Sequence, residues 1–410
     1  VLGNTHMKIA VKERPKPKLL AAAISTVVFG LSGHVLAEEQ VTLKDAITDG
    51  KLSFSARYRF EHVDDDARPE EAHASTIRAR LGYTTKTFND FQVGIEIDHV
   101  EALGGDNYDD LHGDTTDHAV VADPEGTEVN QAWISYSGID NTVFKVGRQR
   151  INLDNQRFVG GVGWRQNEQT YDGARFQYSG SGFTADYSYI HNINRIFSDK
   201  SAKGNHKGDF HLINGNYKFN KNHKVIAFAY LLDYDAAVTS SSSTFGATYN
   251  GKLGPVGLNA SYAVQSDNGD NPNSYDANYY NIEASTKLNK FTVLAGYEVL
   301  GSDNGVGFST PLATLHKFQG FADKFLSTPA EGVQDIYITG KVAISGVKLG
   351  LTYHDLSSDV DSIDYGSEID FTAAYNFNKN YGVLLKFANY SSDKLATDTS
   401  KLWLQGVAKF

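Results

Sequence analysis

The stretch of sequence that decides the fold is LWLQGVAKF, the last nine residues, from Leu402 to Phe410. Every second residue of a β-strand points to the same side, and here the two sides differ in polarity. One side carries Leu402, Leu404, Gly406, Ala408 and Phe410, and the other carries Trp403, Gln405, Val407 and Lys409. A strand with one apolar face at this end of the chain is typical of a sheet that closes on itself.

The N-terminal region has the layout of a secretory signal peptide. Met7 is the expected start, and the run from Lys8 to Lys18 carries five basic residues. A short apolar stretch from Leu19 to Leu31 follows, and a plausible cleavage site lies after Ala37. This stretch is shorter than the roughly 20 apolar residues of a helical membrane anchor. We therefore expect an exported protein.

The composition agrees with an exported membrane barrel. The 410 residues include no cysteine, 1 methionine and 8 prolines, but 23 tyrosines, 23 phenylalanines and 38 glycines. No other run approaches the roughly 20 apolar residues that a helical span needs. A transmembrane β-barrel meets these conditions, because each strand is apolar on only one face. We expect residues 1–37 to be an extension with the signal peptide, and residues 38–410 to form one transmembrane barrel.

Two kinds of connection separate the segments of alternating polarity, and the two kinds take turns along the chain. The tight kind carries the Gly, Asn and Asp of hairpin turns, at 88–90, 138–141, 179–182, 220–223, 252–255, 288–290, 344–346 and 378–380. The long polar kind lies at 63–73, 100–126, 151–169, 192–207, 234–241, 265–277, 301–331, 355–364 and 391–400. Outer-membrane barrels show this asymmetry of short periplasmic turns and long extracellular loops. Eight turns and nine loops predict an all-β antiparallel barrel of about 18 strands, wide enough for a water-filled lumen.

The charged faces of the first three strands are expected to point into the lumen. A charge that faces lipid near the midplane costs about 2–4 kcal/mol. The inward faces then bring together Arg57, Arg59, Arg78 and Arg80, with Glu96 and Asp98 as acidic partners on the third strand. Two roles are open: the charges orient passing ions, or they only neutralise one another and keep the lumen wet.

Acidic residues are concentrated in the loops, and the formal net charge is −11. The runs Asp64-Asp65-Asp66 and Asp106 to Asp117 carry much of this charge. Such clusters can hold divalent cations between lipopolysaccharide molecules, but solvated loop charge is the favoured interpretation. Nothing predicts a nucleic-acid partner. No phosphate-binding glycine loop and no spaced His/Cys set is present, so we expect no cofactor and no metal site.

The most specific segment is GRQRINLDNQRFVGGVGWRQNEQTYDGARF, from Gly147 to Phe176. Its charged residues are Arg148, Arg150, Asp154, Arg157, Arg165, Asp172 and Arg175, and it also holds Gly160-Gly161 and Trp164. Guanidinium groups suit carboxylates and phosphates, and paired glycines allow a close approach of the backbone. A loop that folds into the barrel as a constriction would use all of these features.

This segment resembles the alginate-export-like family of outer-membrane porins. The family pattern of G-R-Q, W-R and [YF]-D-G-x-R-[FL] is matched by Gly147-Arg148-Gln149, Trp164-Arg165 and the run from Tyr171 to Phe176, and Phe321 to Ile338 is similar to a later family signature. The resemblance implies a monomeric barrel of 18 strands in the outer membrane of a Gram-negative bacterium, surrounded by lipid and lipopolysaccharide. It also implies an arginine-rich lumen for anionic sugars or organic acids, and a C-terminal strand ending in Phe410 that the barrel-assembly machinery recognises.

One departure from the family favours diffusion over polymer export. The dedicated polymer exporter of the family uses a long periplasmic loop to gate its pore, whereas every periplasmic turn expected here is short. We therefore expect a porin-type channel for passive diffusion of small anionic or polar solutes, such as uronate-type oligosaccharides or organic acids. Export of alginate or another polysaccharide is the alternative.

An outer-membrane enzyme and a non-conducting adhesive barrel are the alternatives from other classes. Catalysis would need a histidine beside Ser or Asp, and the candidates are His191, His354 and the Asp98-His99 pair, with Ser357 and Ser358 near His354. None of them shows a pattern that would orient a catalytic base, so we expect no enzyme. A channel for hydrophobic solutes would require an apolar lumen, which these strands do not provide.

Overall fold

The computed structural model describes residues 41–105, 107–112 and 116–410. The chain divides into Val1–Val41 and a compact unit, Thr42–Phe410. The predicted signal peptide lies outside the described residues, and the acidic run 106–117 lies only partly within them. No described helix has the length and the apolar character to cross a membrane.

One short α-helix, α1 (Leu43–Thr48), precedes a large antiparallel sheet of 18 strands. In chain order the strands are β1 Lys51–Asp65, β2 Ala72–Thr84, β3 Phe91–Ala102, β4 Gly126–Ile139, β5 Thr142–Gln149, β6 Thr170–Gly180, β7 Phe183–Asn194, β8 Asn205–Asn220, β9 His223–Tyr234, β10 Ser242–Leu253, β11 Val256–Asp267, β12 Asp276–Leu288, β13 Phe291–Leu300, β14 Ser302–Asp303, β15 Val306–Gly307, β16 Val333–Ile344, β17 Val347–Ser357, β18 Asp364–Asn376, β19 Tyr381–Ser392 and β20 Thr399–Lys409. The short strands β14 and β15 form a separate hairpin. Two 3₁₀ helices, Val238–Ser240 and Leu315–Lys317, lie in loops.

The C-terminal strand closes the sheet into a barrel, as its alternation predicted. Each strand of the large sheet pairs with its neighbours in chain order, and β20 pairs with β1. Phe60 lies opposite Leu404 in this register. At the end of the chain, the Phe410 N–H donates to the Phe54 carbonyl at 2.8 Å and the Phe54 N–H donates back at 3.1 Å. The predicted all-β barrel of 18 strands is therefore confirmed.

The predicted alternation of turns and loops is also confirmed. All eight tight connections join the strand pairs that begin with β2, β4, β6, β8, β10, β12, β16 and β18. Several turn residues adopt a positive φ, such as Asn141 at 59° and Asn289 at 54°, which asparagine tolerates better than most residues. All the long loops therefore lie at the opposite end of the barrel from these turns.

The two faces of each strand differ in exposure as their polarity predicts. On β1, Leu52 is 64% exposed and Tyr58 is 42% exposed, whereas Arg59 and Glu61 are fully buried. The same apolar outer surface continues around the barrel, for example at Ile338 on β16. An outer surface of this kind is suited to lipid, because it is apolar over the middle of the strands, where the charged residues face inward.

Two glycines of the Gly147 to Phe176 segment, Gly147 and Gly173, are required by the close approach of neighbouring backbone. Gly147 has a φ of +118°, and a Cβ atom there would lie 2.3 Å from the Ala132 carbonyl oxygen. Gly173, which lies opposite Gly147 in the sheet, would place a Cβ atom 2.0 Å from the Tyr189 carbonyl oxygen. Both positions thus exclude any side chain, since the adjacent backbone is too close.

Candidate functional site

Two long loops, residues 150–169 and 301–332, contact the inner face of the barrel wall. Arg57 on β1 donates to the Gly163 carbonyl at 2.9 Å, and Arg157 donates to Glu298 on β13 at 2.8 Å. The loops also bind each other, because the Gly160 N–H donates to the Leu312 carbonyl at 2.8 Å. Both loops therefore lie in the lumen, and the hypothesis that loop 151–169 enters the barrel agrees with this geometry.

Three of the four predicted lumen arginines lie beneath loop 150–169. Arg57 also donates to Gln166 Oε1 at 2.9 Å, and Arg59 donates to the Trp164 carbonyl at 2.6 Å. The Arg59 guanidinium is stacked on the Trp164 ring at 4.0 Å from its centroid, and Arg78 donates to the Gln166 carbonyl at 3.2 Å. The exposed fractions of these arginines are at most 7%. Their hydrogen bonds hold the loop against the wall.

Arg80 belongs to a network of ion pairs that the sequence only partly indicated. Its guanidinium donates to both oxygens of Asp98, at 2.6 and 2.5 Å, and to Glu168 at 2.7 Å. Arg150 donates to the other oxygen of Glu168 at 2.6 Å and to Glu96 at 2.9 Å. Burial raises the pKa of Glu168, but Arg80 and Arg150 outweigh it and lower the pKa to about 2. Glu168 is therefore a fixed negative charge between two arginines.

Arg165 connects three regions of the chain through its guanidinium. It lies 3.1 Å from Glu61 on β1, 3.8 Å from Asp123 and 3.3 Å from Asp323 of loop 301–332. Asp123 also lies 3.6 Å from Arg59. The side chains of these groups are at most 9% exposed, so each charge depends on the others for its neutralisation.

The remaining predicted site residues do not join these networks. Arg148 pairs with Asp172 at 2.8 Å, across the β5–β6 ladder. Arg175 pairs with Asp186 at 2.5 Å. Asp154 accepts a hydrogen bond from Asn214 at 2.6 Å. These contacts lie along other parts of the wall.

An outer cavity of about 440 Å³ lies at the loop end of the barrel. Its apolar lining includes Leu111, Val120, Val162, Ile196, Phe197, Leu315 and Leu326. Four cationic side chains, Arg165, Arg195, Lys324 and Lys401, line it together with two carboxylates, Asp65 and Asp323. The cavity is therefore apolar with an excess of positive charge.

Arg195 differs from the other cations of the outer cavity. Lys324 pairs with Asp65 at 2.8 Å, and Lys401 pairs with Asp323 at 3.2 Å. Arg195 donates to the Lys203 carbonyl at 3.2 Å and lies over the Phe197 ring. Within the part of the chain that the structure describes, no carboxylate lies within ion-pair distance of Arg195. Its charge is thus available to a solute.

An inner cavity of about 330 Å³ lies nearer the turn end of the barrel, on the wall formed by β12 to β18. Its charged and tyrosine lining residues are Glu283, Glu298, Asp335, Asp370, Lys317, Lys341, His354, Tyr279 and Tyr337. Residues 317–321 line this cavity, whereas Leu315, His316 and Asp323 line the outer one. Residues 315–323 therefore form a partition between the two cavities.

An aromatic and cationic cluster holds the partition in place. His316 is stacked on Trp164 of loop 150–169, with 4.5 Å between the ring centroids, and contacts Asp323 at 2.7 Å. Lys386 of β19 lies 2.6 Å from His316 Nε2 and 4.3 Å from the centroid of the Trp164 ring. Burial lowers the pKa of His316 to about 3, although Asp323 opposes the shift. His316 is therefore neutral, and Lys386 Nζ donates to its Nε2.

Sequence reasoning missed several residues of this site. Glu168 lies inside the arginine-rich segment. Its negative charge among these arginines could therefore have identified it as a site residue. Asp323, Arg195 and Lys386 lie in distant segments. No local pattern in the sequence indicates that these three residues approach the predicted ones.

The histidines considered for catalysis have other partners. His354 lies in the lumen, with Nδ1 2.9 Å from Asp335 and Nε2 3.6 Å from Asp370. The Ser358 hydroxyl donates to the Val360 carbonyl at 2.5 Å. His99 contacts the Thr127 hydroxyl at 2.7 Å, and His191 is exposed. No serine hydroxyl of the described residues bonds to any of these three imidazoles.

These features define the class of protein. A closed antiparallel barrel with an apolar outer surface and a charged lumen is a β-barrel channel of the Gram-negative outer membrane. The family described as Alginate export matches residues 50–298. The chain therefore belongs to the Alginate export family. No curated protein is significantly similar to it in sequence.

Solved structures of outer-membrane channels share the fold. OccK3 (OpdO) of Pseudomonas aeruginosa is 15% identical, with a TM-score of 0.67 over 90% of this chain and 97% of that one. OpdK of Pseudomonas aeruginosa, solved with vanillate, is 14% identical, with a TM-score of 0.70 over 88% and 98%. OccAB4 of Acinetobacter baumannii is 14% identical, with a TM-score of 0.65 over 88% and 98%. At these identities the likeness supports the fold alone.

Proposed function

We propose that this barrel is a channel for passive diffusion of small anionic or polar solutes, and that organic acids and short uronate-type oligosaccharides are its preferred class. The observation that carries this proposal is Arg195 on the wall of the outer cavity. A guanidinium group binds carboxylates through paired hydrogen bonds. Arg195 has no acidic partner among the described residues, so a carboxylate solute meets an unneutralised cation.

The rest of the outer cavity suits the organic part of such a solute. Ile196, Phe197 and Leu315 provide apolar surface next to the guanidinium. The volume of about 440 Å³ is in the range typical of small-molecule sites, which combine apolar walls with a few placed polar groups. Vanillate, which accompanies OpdK in its structure, is a solute of this chemical type.

The partition favours small solutes over a polymer. Loops 150–169 and 301–332 cross the lumen and are tied to the wall by buried ion pairs such as Arg157 with Glu298. A polysaccharide chain would have to displace both loops. We therefore place export of alginate or another polysaccharide second.

The predicted lumen arginines contribute indirectly in this proposal. Arg57, Arg59 and Arg78 hold loop 150–169 against the wall and add positive potential to the lumen. Charged walls around a narrow passage of low dielectric constant concentrate ions of the opposite sign. The arginines thereby support anion preference without contacting the solute.

The test is single-channel recording in planar lipid bilayers with the purified barrel. We expect conductance steps, a reversal potential that indicates anion preference, and concentration-dependent block by vanillate added on the loop side. Arg195→Gln should weaken that block and reduce the anion preference. Arg68→Gln is the matched control, because Arg68 is a loop arginine that already pairs with Asp109 at 3.3 Å. Correctly folded protein that gives no conductance steps would refute the channel.

We also infer that the barrel transports without catalysis. The Asp335–His354–Asp370 arrangement has carboxylates on both sides of the imidazole, and a nucleophile hydroxyl would have to replace one of them. Incubation of the purified barrel with lipid and peptide substrates should give no hydrolysis. Activity that disappears in His354→Ala would contradict this inference.

A further inference from the structure

Two histidines and a glutamate meet on the outside of the barrel, at the loop end of the β1–β2 hairpin. His62 of β1 lies directly opposite His73 of β2 in the register, and Glu71 immediately precedes β2. His62 continues the outward face of Tyr58 and Phe60, so the group lies away from the lumen and from both cavities. The side chains of His62, His73 and Glu71 are 27%, 51% and 52% exposed.

The two imidazole rings lie against each other across the hairpin. Their centroids lie 4.8 Å apart in a stacked arrangement, and their Nδ1 atoms are 3.3 Å apart. The Glu71 carboxylate lies 4.0 Å from His62 Nδ1 and 3.5 Å from His73 Nε2. One ligand atom from each of the three residues can be chosen so that all lie within 4.8 Å of one another.

These separations are close to what a bound metal ion requires. Zinc lies about 2.0–2.1 Å from imidazole nitrogen, so two ligands at a tetrahedral angle are about 3.3–3.4 Å apart. The two Nδ1 atoms already have that separation. The rings are stacked, so a rotation of the two side chains is needed to direct both in-plane lone pairs at one ion. The exposed Glu71 side chain can complete the set by a rotamer change. Two histidines and one carboxylate then leave one coordination position open to water.

We propose that His62, Glu71 and His73 form a binding site for a divalent first-row transition metal ion on the extracellular rim of the barrel. Imidazole and carboxylate ligands together suit ions such as Zn²⁺ better than Ca²⁺ or Mg²⁺, which prefer oxygen alone. The carboxylate also offsets part of the charge of the ion.

The backbone around the site is held by the neighbouring loop. The His118 ring donates from Nδ1 to the Glu71 carbonyl at 2.7 Å, and Glu70 forms a β-bridge with His118. The His73 N–H donates to the Asn107 carbonyl at 2.8 Å. Contacts of this kind restrict the backbone positions of ligands before metal binds, which lowers the entropic cost of binding.

The short distance between the two Nδ1 atoms has a competing explanation. It is a direct hydrogen bond in which one Nδ1–H donates to the other Nδ1. The sequence gives no indication of either arrangement, since the two histidines are 11 positions apart and only the hairpin register places them together.

Isothermal titration of the untagged, detergent-refolded barrel with Zn²⁺ tests the proposal. We expect binding with a stoichiometry of one, and a loss of affinity of about tenfold or more in His62→Ala and in His73→Ala, since even outer partners of metal ligands contribute about 10–100-fold. Replacement of Zn²⁺ by Co²⁺ should give intense visible absorption bands from a four-coordinate site. Glu71→Gln should bind more weakly than the wild type but more strongly than either histidine variant.

His99→Ala is the matched control. His99 is equally exposed and lies 3.3 Å from Glu101, but it faces Thr127 across the strands. Its removal should leave the affinity unchanged. The proposal is overturned if the His62→Ala/His73→Ala double variant binds Zn²⁺ as the wild type does, or if folded wild type binds none. Because the site lies outside the lumen, the histidine variants should also keep the wild-type conductance, which confirms that they are folded.

Discussion

The charged side chains on the two sides of the lumen have different surroundings. On the side of β1 to β3, the arginines are covered by loop 150–169 and paired with its carbonyls and with Glu168. On the side of β12 to β18, acidic and tyrosine side chains line an inner cavity of about 330 Å³. The arginine wall positions a loop. On the second wall Glu298, Asp335 and Asp370 are also buried, at 3%, 1% and 2% exposure, and Glu283 is the half-buried carboxylate of the inner cavity.

The difference follows from the cost of burying charge. A buried guanidinium is stable only if its donors are satisfied and its charge is compensated. Loop 150–169 supplies backbone carbonyls to Arg57, Arg59 and Arg78 and the Glu168 carboxylate to Arg80. An inward-facing charge in a barrel strand therefore indicates a polar lumen, but not whether the charge meets solute or protein.

Arg165→Ala should produce the largest effect on the covered side. It leaves Glu61, Asp123 and Asp323 without the cation that joins them, and loss of one partner from a buried ion pair costs about 3–5 kcal/mol. We expect release of loop 150–169, faster proteolysis within it and a larger single-channel conductance. Arg175→Ala removes an arginine that pairs with Asp186 on the wall, outside the loop, and should leave the loop protected. Equal proteolysis of both variants would show that the ion pairs do not hold the loop.

Glu168→Gln should have a smaller effect with a defined pH dependence. The variant loses charged hydrogen bonds to Arg80 and Arg150, which contribute about 1.5–3 kcal/mol each at most. The pKa of Glu168 is lowered to about 2 from an ordinary value of 4.5. Its stabilising effect is therefore complete above pH 4.5 and is lost as the pH falls through about 2.

Thermal unfolding of the wild type and of Glu168→Gln between pH 2 and pH 7 measures this effect. The difference between the two proteins should be constant down to about pH 4.5, should decrease progressively below it, and should be largely lost near pH 2. A difference that already disappears near pH 5 would mean that Glu168 is not held between the two arginines.

The smallest expected effect is a change in ion selectivity. It allows a direct comparison of charge removal on the two walls of the lumen. Glu283→Gln removes a carboxylate that lines the inner cavity, and it should increase the anion preference in reversal-potential measurements. The change should be below about 1 kcal/mol, because water screens a charge at the edge of a cavity. Arg78→Gln removes a charge that is 6% exposed and should shift the reversal potential less. A larger shift for Arg78→Gln would show that solute reaches the arginine wall.

Much of the fold could be predicted because the signals are local. The period of two in Leu402 to Phe410 reflects the geometry of one strand, and turn residues such as Asn141 and Asn289 reflect the backbone conformations of a few neighbours. The inward placement of Arg57 and Arg59 follows from the same alternation. The number of strands in the closed barrel could be predicted by counting the turns and loops along the sequence.

The contacts of the site could be predicted only in part. The arginine-rich segment indicated a loop with a special role, and Glu168 belonged to that segment. The partners of Arg157 and Arg165 in loop 301–332 and on β13 are distant along the chain. Arg195 lines the outer cavity, and no pattern in the sequence predicts this position.

The sequence by itself thus determined an exported barrel of 18 antiparallel strands with apolar residues outside and charged residues inside. These properties depend on each residue and its near neighbours, through strand alternation and turn conformation. Only the tertiary structure decided which inward charges are covered, where the partition lies, and that His62 meets His73. Those outcomes depend on strand register and on how two long loops pack in the lumen, since the relevant hydrogen bonds and ion pairs join groups that the chain order separates.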